Sequence, residues 1–466
     1  MSATSVAFDE AQLPVATPEE LAGPPEPATM GPVARQERIN TLDVLRGCAL
    51  MGILLMNITS FGLPSWAYEL PLGTLLPVFS GPHAKANTVV WMLRWVFAEG
   101  KLRALFSMLF GAGAILLTER AERRGGGDRV ADIFLRRNMW LVLIGALHAY
   151  FIWNGDILFW YGVAGLLFLY PMRKLQVKTL MRVSASLLIL WVMVAGLGRF
   201  TEVYGGQKKG VAAIQAAHAG KTLTEAQRDA IGSKVKMDQS WWHSAQATQK
   251  DVDAMHQGYW AAMGHDAQNA MQSEQAIYFA FPDVLIFMVL GMALFKNGFL
   301  TGQLSTAVYV KTAVIGTLIF VPLGAAAAIE AWRSGFEIVK TTAWLYIPYD
   351  VCRVAGTLAI AATVLLVVRA GALKWLTTRI AAVGQTALSN YLLTSITCRF
   401  LFVWGPTHWF GYLEYYKLYW VVGAMWVVNL IVSPIWLRFY QFGPVEWVWR
   451  SLTYWHRQPM RLRRAV

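Results

Sequence analysis

Two pairs of polar residues stand in apolar surroundings with types and spacing that suit chemistry. Asp43 and Arg46 open a long apolar run, and a guanidinium at such a position is a good ligand for a phosphate. His148 and Asp156 flank a short turn between two other apolar runs. A carboxylate that fixes the tautomer of a histidine makes it a general base. The sequence therefore offers an anion ligand and a proton acceptor.

Asn57 extends the first pair into a stripe, because it follows Arg46 by eleven residues and lies within about 20° of it around a helix. In a catalytic role, Asn57 would orient or hydrogen-bond a reacting carbonyl. The simpler alternative is equally open: Asp43 favours the helix dipole, Arg46 reaches the membrane interface, and Asn57 hydrogen-bonds a neighbouring helix.

Charged residues also stand at the entrance to a second apolar run. Lys101 and Arg103 follow Glu99 there, and we group both cations with Asp43 and Arg46 as anion-binding residues. The alternative is that they anchor the helix at the membrane interface. Gly111 and Gly113 later in this run predict a close helix approach.

A polar stripe marks a third run. It predicts a hydrated substrate path, or a seam of hydrogen bonds between helices, along Thr386, Asn390, Thr394 and Arg399.

These residues need membrane helices to position them. Of the 466 residues, 56% are hydrophobic and 15% are charged, whereas a soluble domain carries roughly 25% charged residues. A helix that crosses the hydrocarbon layer needs about 20 mostly apolar residues. We predict ten spans, over 44–62, 103–119, 138–154, 156–172, 182–199, 277–295, 305–328, 343–368, 380–404 and 417–437.

The distribution of basic residues predicts the orientation. Arginines and lysines concentrate in the turns at 120–137, 173–182 and 369–379, and short cytoplasmic loops are the ones rich in these residues. Both termini are therefore expected in the cytoplasm, in a multi-pass membrane protein. The segment 86–98 is too short to cross, so we expect an interfacial or re-entrant helix on the outer side.

The resulting fold class is all-α, a polytopic transmembrane bundle of about ten spans with a small helical extracytoplasmic cap. Its predicted parts are a disordered cytoplasmic arm over 1–36, a first bundle of five spans and the interfacial helix over 37–199, the cap over 200–275, a second bundle of five spans over 276–440, and a basic aromatic interfacial tail over 441–466.

Several classes of function lose support. The net charge of +13 lies in short tracts between apolar runs, which indicates topology rather than nucleic-acid binding. The three cysteines form no framework, and no metal site or bound cofactor is expected. The motifs of ATP-binding loops, zinc proteases, serine-hydrolase elbows and covalent haem are missing from the sequence.

Several segments together resemble the bacterial YeiB family of integral membrane proteins. They are TLDVLRGCALMGILLMNITSFGLP, KLRALFSMLFGAG, LIGALHAYFIWNGDILFWYG, VGQTALSNYLLTSI and FGPVEWVWRSLTY. That family in turn resembles the transmembrane acyltransferase superfamily, which includes the acyltransferase-3 proteins and the heparan glucosaminide acetyltransferase. The shared element is the LDxxRG start of the first span, here Leu42 to Gly47.

The resemblance implies transfer of an acyl group from a cytoplasmic donor such as acetyl-CoA to an acceptor across the membrane. Acyltransferase-3 proteins carry a histidine at the position of Asn57. The heparan enzyme instead resembles this chain in having an asparagine there. The reactive histidine would then lie elsewhere, and His148 and His83 are the candidates. We favour His148, because it has a carboxylate nearby and His83 lies in a polar loop.

Two functions follow as alternatives. The first is an acyltransferase that uses an acyl-CoA donor and a small-molecule or glycan acceptor carrying a hydroxyl or amine. The second is a transporter or permease for a small polar or anionic solute. The lipid bilayer is the expected partner in both, nucleic acid is not, and the sequence leaves a homodimer open.

Overall fold

The computed structural model of the protein describes residues 40–68, 70, 81–275 and 277–462, with residues 65, 269, 270, 272–275 and 277–280 described by their backbone alone. The arm predicted over 1–36 and the last four residues of the tail lie outside this part of the chain. The regular secondary structure of the described residues is entirely helical, apart from one isolated β-bridge between Tyr440 and Arg461. The all-α prediction is confirmed.

Seventeen helices form the frame of the described chain. In order they are α1 Asn40–Gly62, α2 Ala84–Phe97, α3 Lys101–Arg123, α4 Arg129–Phe151, α5 Leu158–Met172, α6 Val177–His218, α7 Glu225–Trp241, α8 Ala245–His256, α9 Tyr259–Gln275, α10 Ile277–Lys296, α11 Thr306–Arg333, α12 Ile338–Thr341, α13 Tyr349–Arg369, α14 Lys374–Gln385, α15 Ala387–Arg399, α16 Tyr415–Phe439 and α17 Pro444–Tyr454.

Six stretches of the described chain are long and apolar enough to cross a membrane. They are Asn40–Gly62, Ala84–Arg123, Val177–His218, Thr306–Arg333, Ile338–Arg369 and Tyr415–Phe439. Such lengths of apolar helix are typical of a membrane protein.

The second of these stretches is broken near its centre. Helices α2 and α3 meet at Gly100, whose φ of 71° is in the left-handed region that favours glycine. A β-carbon there would lie 2.5 Å from the hydroxyl of Tyr349. The ring of Phe97 packs 6.1 Å from that of Phe320, in the middle of α11. Helix α2 therefore lies against the body of the bundle and not only beside its end.

The span predicted as continuous over 380–404 is also broken, which corrects the prediction. Helix α14 ends at Gln385, and α15 begins at Ala387 after a change of direction at Thr386. The carboxylate of Glu446 accepts hydrogen bonds from the backbone N–H groups of Leu388 (2.7 Å) and Ser389 (3.1 Å). These bonds satisfy donors that the start of a helix leaves without an intrahelical partner.

Small residues bring the central helices close together. A β-carbon on Gly111 of α3 would lie 2.0 Å from the carbonyl oxygen of Met288 in α10, and one on Gly291 would lie 2.0 Å from that of Met108. The close approach predicted at Gly111 is thus present. Gly113 differs, because a β-carbon there would meet nothing within 4 Å.

Hydrogen bonds attach the tail helix and helices α7–α9 to the rest of the bundle. Trp449 of the tail helix α17 donates to the carbonyl of Arg137 (2.9 Å), and Lys296 of α10 donates to the carbonyl of Arg173 (2.6 Å). In helices α7, α8 and α9, here called the covering helices, Trp241 donates to the carbonyl of Phe336 (3.0 Å).

The buried ion pair between Asp266 of α9 and Arg399 of α15 fixes the covering helices to the bundle. Both side chains are almost fully buried, with 2% and 1% of their surface exposed. Tyr259 adds a hydrogen bond to the carbonyl of Phe151 (2.9 Å).

Candidate functional site

The opening stripe of α1 lies in a helix crossing that only glycine permits. A β-carbon on Gly47 would lie 2.1 Å from the carbonyl oxygen of Ile380, and one on Gly384 would lie 1.9 Å from that of Asp43. Helices α1 and α14 therefore touch backbone to backbone. This contact fixes Asp43 and Arg46, whose side chains form an ion pair of 2.9 Å.

A cavity of about 220 Å³ begins beside this pair. Four arginines line one end of it: Arg46 of α1, Arg120 of α3, Arg137 of α4 and Arg450 of α17. Asp43 and Glu446 are the only carboxylates that line the cavity among the described residues, so positive charge is in excess. Such a group of guanidinium groups in a partly desolvated site suits a phosphate-bearing ligand.

The tail helix helps to hold this charged end in place. The guanidinium of Arg137 lies 3.9 Å above the ring of Trp449, a cation–π contact. Arg137 is also close enough to Arg450 and Arg46 to feel their charges. The carboxylate of Glu446 accepts hydrogen bonds from the start of α15 and is buried, and burial raises its pKa.

His148 and Asp156 meet as predicted. Nδ1 of His148, in the last turn of α4, lies 2.9 Å from Oδ1 of Asp156, and both side chains are buried. The other oxygen of Asp156 accepts the N–H of Phe159 (2.7 Å) at the start of α5. Asp156 therefore acts both as a helix cap and as the partner of His148.

The pair leaves one nitrogen of the imidazole available. A carboxylate accepts hydrogen bonds, so Asp156 favours the tautomer with the proton on Nδ1 and a free lone pair on Nε2. In the part of the chain that the structure describes, Nε2 of His148 is buried and has no hydrogen-bond partner. Such a nitrogen can accept a proton from a bound molecule.

Tyr391 of α15 connects the histidine to the cavity. Its ring lies 5.1 Å from the ring of His148, measured between centroids, and Tyr391 also lines the cavity. On its other side Tyr391 lines a second cavity of about 20 Å³ together with Asn57 and Thr394. That volume holds about one water molecule. The ring of Tyr391 therefore lies against His148 and forms part of the walls of both the cavity lined by Arg46 and the small cavity lined by Asn57.

Lys101 and Arg103 do not join Arg46. The ammonium of Lys101 donates to the carbonyls of Trp95 (3.3 Å) and Glu99 (3.1 Å). Arg103 lies 3.7 Å from Asp283 of α10. These contacts separate the predicted anion-binding set into two groups, because Lys101 bonds residues beside the α2–α3 break and Arg103 pairs with α10.

The second group forms a buried network that sequence reasoning missed. Arg353 of α13 pairs with Asp350 (2.9 Å) and with Asp283, and Arg94 lies 3.4 Å from Glu99. One signal for it was present in the sequence. The run Asp-Val-Cys-Arg at 350–353 repeats the Asp-Val-Leu-Arg spacing at 43–46, and in both cases the acid and the arginine pair at i and i+3.

The residues of the predicted polar stripe have different surroundings. Asn390 donates to Thr386 (3.0 Å) and to Ser433 of α16 (2.8 Å), which is the seam of hydrogen bonds weighed as an alternative. Thr394 lines the small cavity, and Arg399 binds the covering helices through Asp266.

His83, the other candidate histidine, also has a carboxylate partner. Nδ1 of His83 lies 3.0 Å from Glu414, but 52% of the His83 side chain is exposed. The hydrogen bond that Lys417 donates lowers the pKa of the Glu414 carboxyl, and the hydrogen bond from His83 lowers it by a smaller amount. Burial and the adjoining cavity favour His148.

Arg120, Arg137 and Arg450 also escaped the sequence analysis as site residues. They stand in a basic turn and a basic tail, whose composition indicated topology. Their position at one cavity depends on the docking of α17 against α4.

Comparison of the sequence with known proteins shows which family and which relatives this chain resembles. Residues 294–456 match the model of a family described as "Protein of unknown function (DUF418)". The chain is 29% identical over 455 residues to the uncharacterized protein YxaH of Bacillus subtilis, covering 94% of this chain and all of the relative. It is 28% identical to the uncharacterized protein YeiB of Escherichia coli, over 90% of this chain and 96% of the relative.

No solved structure matches the chain. The sequence matches extend over nearly the whole lengths of both relatives, and the family model covers α11 through α17 as well as their connections. The resemblance to the YeiB family is therefore confirmed, and the similarity to the DUF418 family lies in residues 294–456.

Proposed function

We propose that this protein is a membrane-embedded acyltransferase that moves an acyl group from a cytoplasmic acyl-CoA-type donor to a hydroxyl or amine on the outer side. The observation that carries the proposal is one cavity with arginines at one end and, at the other, a tyrosine packed on a buried His–Asp pair. The arginines would bind the phosphates of the donor.

The transfer step uses the free nitrogen of His148. The acceptor oxygen attacks the carbonyl carbon of the thioester, a C–O bond forms, and the C–S bond breaks. Nε2 of His148 takes the proton from the acceptor and returns it to the thiolate leaving group. Asp156 holds the imidazole and stabilises its charged form, and in this proposal Asn57 hydrogen-bonds the carbonyl of the thioester.

The test is transfer of a radiolabelled acyl group by the purified protein in nanodiscs, or slow hydrolysis of the thioester without an acceptor. His148→Ala is expected to lower the rate by roughly 10²- to 10⁴-fold. His83→Ala is the matched control, because it removes an exposed histidine that also pairs with a carboxylate. A rate that is equal in wild type and His148→Ala, or no turnover of any acyl-CoA, would refute the proposal.

The membrane topology is part of the same proposal. We place ten spans in the bilayer of the bacterial inner membrane, with both termini in the cytoplasm and α7–α9 as an outer cap. Its support is that the tail helix bonds to the basic segment at Arg137, as expected if both face the cytoplasm, whereas the covering helices bond elsewhere, at Phe336. Labelling of single cysteines introduced at 221 and 457 in intact cells tests it: only the one at 221 is expected to react.

A specific observation also favours a transporter as the second candidate. Helices α2 and α3 break beside a buried network of acidic and basic side chains, and broken helices beside buried charges are typical of transport sites. Uptake of a small anion into proteoliposomes that survives His148→Ala but not Arg46→Gln would favour this function over acyl transfer.

A further inference from the structure

Two helices beside the large cavity carry the same spacing from an arginine to a polar residue. Asn57 follows Arg46 by eleven residues in α1, and His148 follows Arg137 by eleven residues in α4. Eleven residues return to nearly the same face of a helix and advance about 16 Å along it. Both helices therefore separate an arginine of the charged end from a polar residue next to Tyr391 by the same length.

The pantetheine arm of a coenzyme A donor covers that length. About thirteen bonds lie between the nearer phosphorus and the thioester sulfur, and an extended chain covers up to about 3.6 Å for every three bonds, or about 16 Å in all. With its phosphates on the arginines, an acyl-CoA therefore presents its thioester carbonyl beside Tyr391, whose ring packs on His148.

The hydroxyl of Tyr391 is a buried donor in search of an acceptor. Only 6% of the residue is exposed, and the hydroxyl makes no hydrogen bond of ordinary geometry with the described residues. It lies beside the backbone of Ile157 and close to Tyr161, and both of these residues line the large cavity. A buried hydroxyl without a partner costs stability, and a ligand that accepts its hydrogen bond removes this cost.

We propose that the hydroxyl of Tyr391 donates a hydrogen bond to the thioester carbonyl oxygen and stabilises the negative charge that develops there, which makes Tyr391 a further catalytic residue. This inference rests on the proposed acyltransferase function and adds a residue to its site. The new hydrogen bond acts together with the one assigned to Asn57.

The electrons balance without a change in the protonation of Tyr391. As the acceptor oxygen bonds to the carbonyl carbon, the π electron pair of the carbonyl moves onto its oxygen, and the Tyr391 hydroxyl stabilises this charge while keeping its proton. The pair then re-forms the C=O bond as the C–S bond breaks, and the thiolate takes the proton held on Nε2 of His148.

The two buried groups have complementary chemistry. Nε2 of His148 accepts a proton and the hydroxyl of Tyr391 donates a hydrogen bond, and neither makes a hydrogen bond of ordinary geometry within the described chain. The centroids of their rings are 5.1 Å apart, so both groups can act on one reacting centre.

Tyr161 supplies a matched control. It is also a buried tyrosine that lines the large cavity, but its hydroxyl already lies 2.6 Å from that of Ser107. Tyr161→Phe and Tyr391→Phe therefore remove the same atom at two places on the cavity wall. Tyr391→Phe keeps the ring on His148 and is expected to melt at no lower temperature than the wild type, because the lost hydroxyl had no partner.

The measurement uses acetyl-CoA labelled with carbon-13 at the carbonyl, bound to the protein in nanodiscs. Infrared spectra give the stretching frequency of the bound thioester carbonyl, which falls when its oxygen accepts a hydrogen bond. We expect a lower frequency in the wild type and Tyr161→Phe than in Tyr391→Phe. Tyr391→Phe should also lower kcat by about 10²- to 10³-fold but raise the Kd of acetyl-CoA at most about fivefold, because a hydrogen bond to a neutral carbonyl is weaker than one to an oxyanion.

The same carbonyl frequency in the wild type and Tyr391→Phe would overturn the inference, and so would equal losses of turnover in Tyr391→Phe and Tyr161→Phe. If the frequency changes as expected and no acyl-CoA is turned over, the proposed activity fails and the hydrogen bond from Tyr391 is supported. If turnover depends on His148 and Tyr391→Phe keeps the wild-type rate, the activity stands and the inference fails. Absence of acetyl-CoA binding would overturn both.

Discussion

The ion pair between Asp266 and Arg399 is expected to hold the covering helices on the bundle. Asp266→Asn and Arg399→Met each remove one charge from this pair, and the double variant removes both. The guanidinium of Arg399 also lies 5.9 Å from the ring of Trp404, so its surroundings are aromatic as well as charged.

The size of the effect follows from burial. Only 1% of the Arg399 side chain and 2% of the Asp266 side chain are exposed, so each single variant leaves its partner charged and out of water. Removing one partner of a buried pair costs about 3–5 kcal/mol, whereas replacing both with apolar or neutral groups is often nearly neutral. At about 1.4 kcal/mol for each factor of ten, each single variant should raise the local opening equilibrium by roughly 150- to 4,000-fold.

Amide hydrogen exchange over residues 259–268 of α9, on protein in nanodiscs, measures that opening. Glu330→Gln is the control, because it breaks an exposed ion pair with Arg333 (3.0 Å) that is worth at most about 1 kcal/mol. The assigned role of the pair would be refuted if exchange in each single variant rose less than tenfold. It would also be refuted if the free-energy costs of the two single variants simply added in the double variant.

Three further predictions concern other parts of the molecule. The hydrogen bond that His265 donates to Asp251 raises the pKa of His265, so the stabilisation from this bond is complete below the unfolded pKa of about 6.5 and is lost as the pH rises through the folded value. After correction for the intrinsic exchange rate at each pH, the opening equilibrium of α9 should rise up to about fivefold between pH 5.5 and 8.5, and His265→Gln should abolish this rise. Gly111→Val should destabilise the bundle by about 1–3 kcal/mol or more, because its β-carbon meets a backbone carbonyl at 2.0 Å, and a lowered melting temperature in detergent would show it. Glu446→Ala should cost about 1–2 kcal/mol through loss of the cap on α15, with Glu446→Gln less affected in the same melting experiment.

Local signals were enough to predict the His148–Asp156 contact. A short turn between two apolar runs returns the chain, so the two residues had to lie near one another. The stripe from Arg46 to Asn57 was predictable for the same reason, since a single helix determines both positions. Local helical geometry is available in the sequence.

The charged end of the cavity was not predictable in this way. Arg137 and Arg450 come from helices distant in sequence, and their position depends on how the tail helix packs. The break at Thr386 was hidden because apolar residues continue on both sides of it, so the hydropathy remains that of one span. The carboxylate responsible, Glu446, lies sixty residues further along the chain.

The shared position of Tyr391 in the walls of both cavities has a thermodynamic consequence. Rotation of this one side chain about its Cα–Cβ bond is the smallest motion that changes how the two cavities connect. A ligand that packs against one face of the ring favours some rotamers over others, and so changes the space beside Asn57. By linkage, a molecule bound beside Asn57 must change the affinity of the larger cavity by the same factor. Donor and acceptor binding would then be coupled through a single rotamer equilibrium.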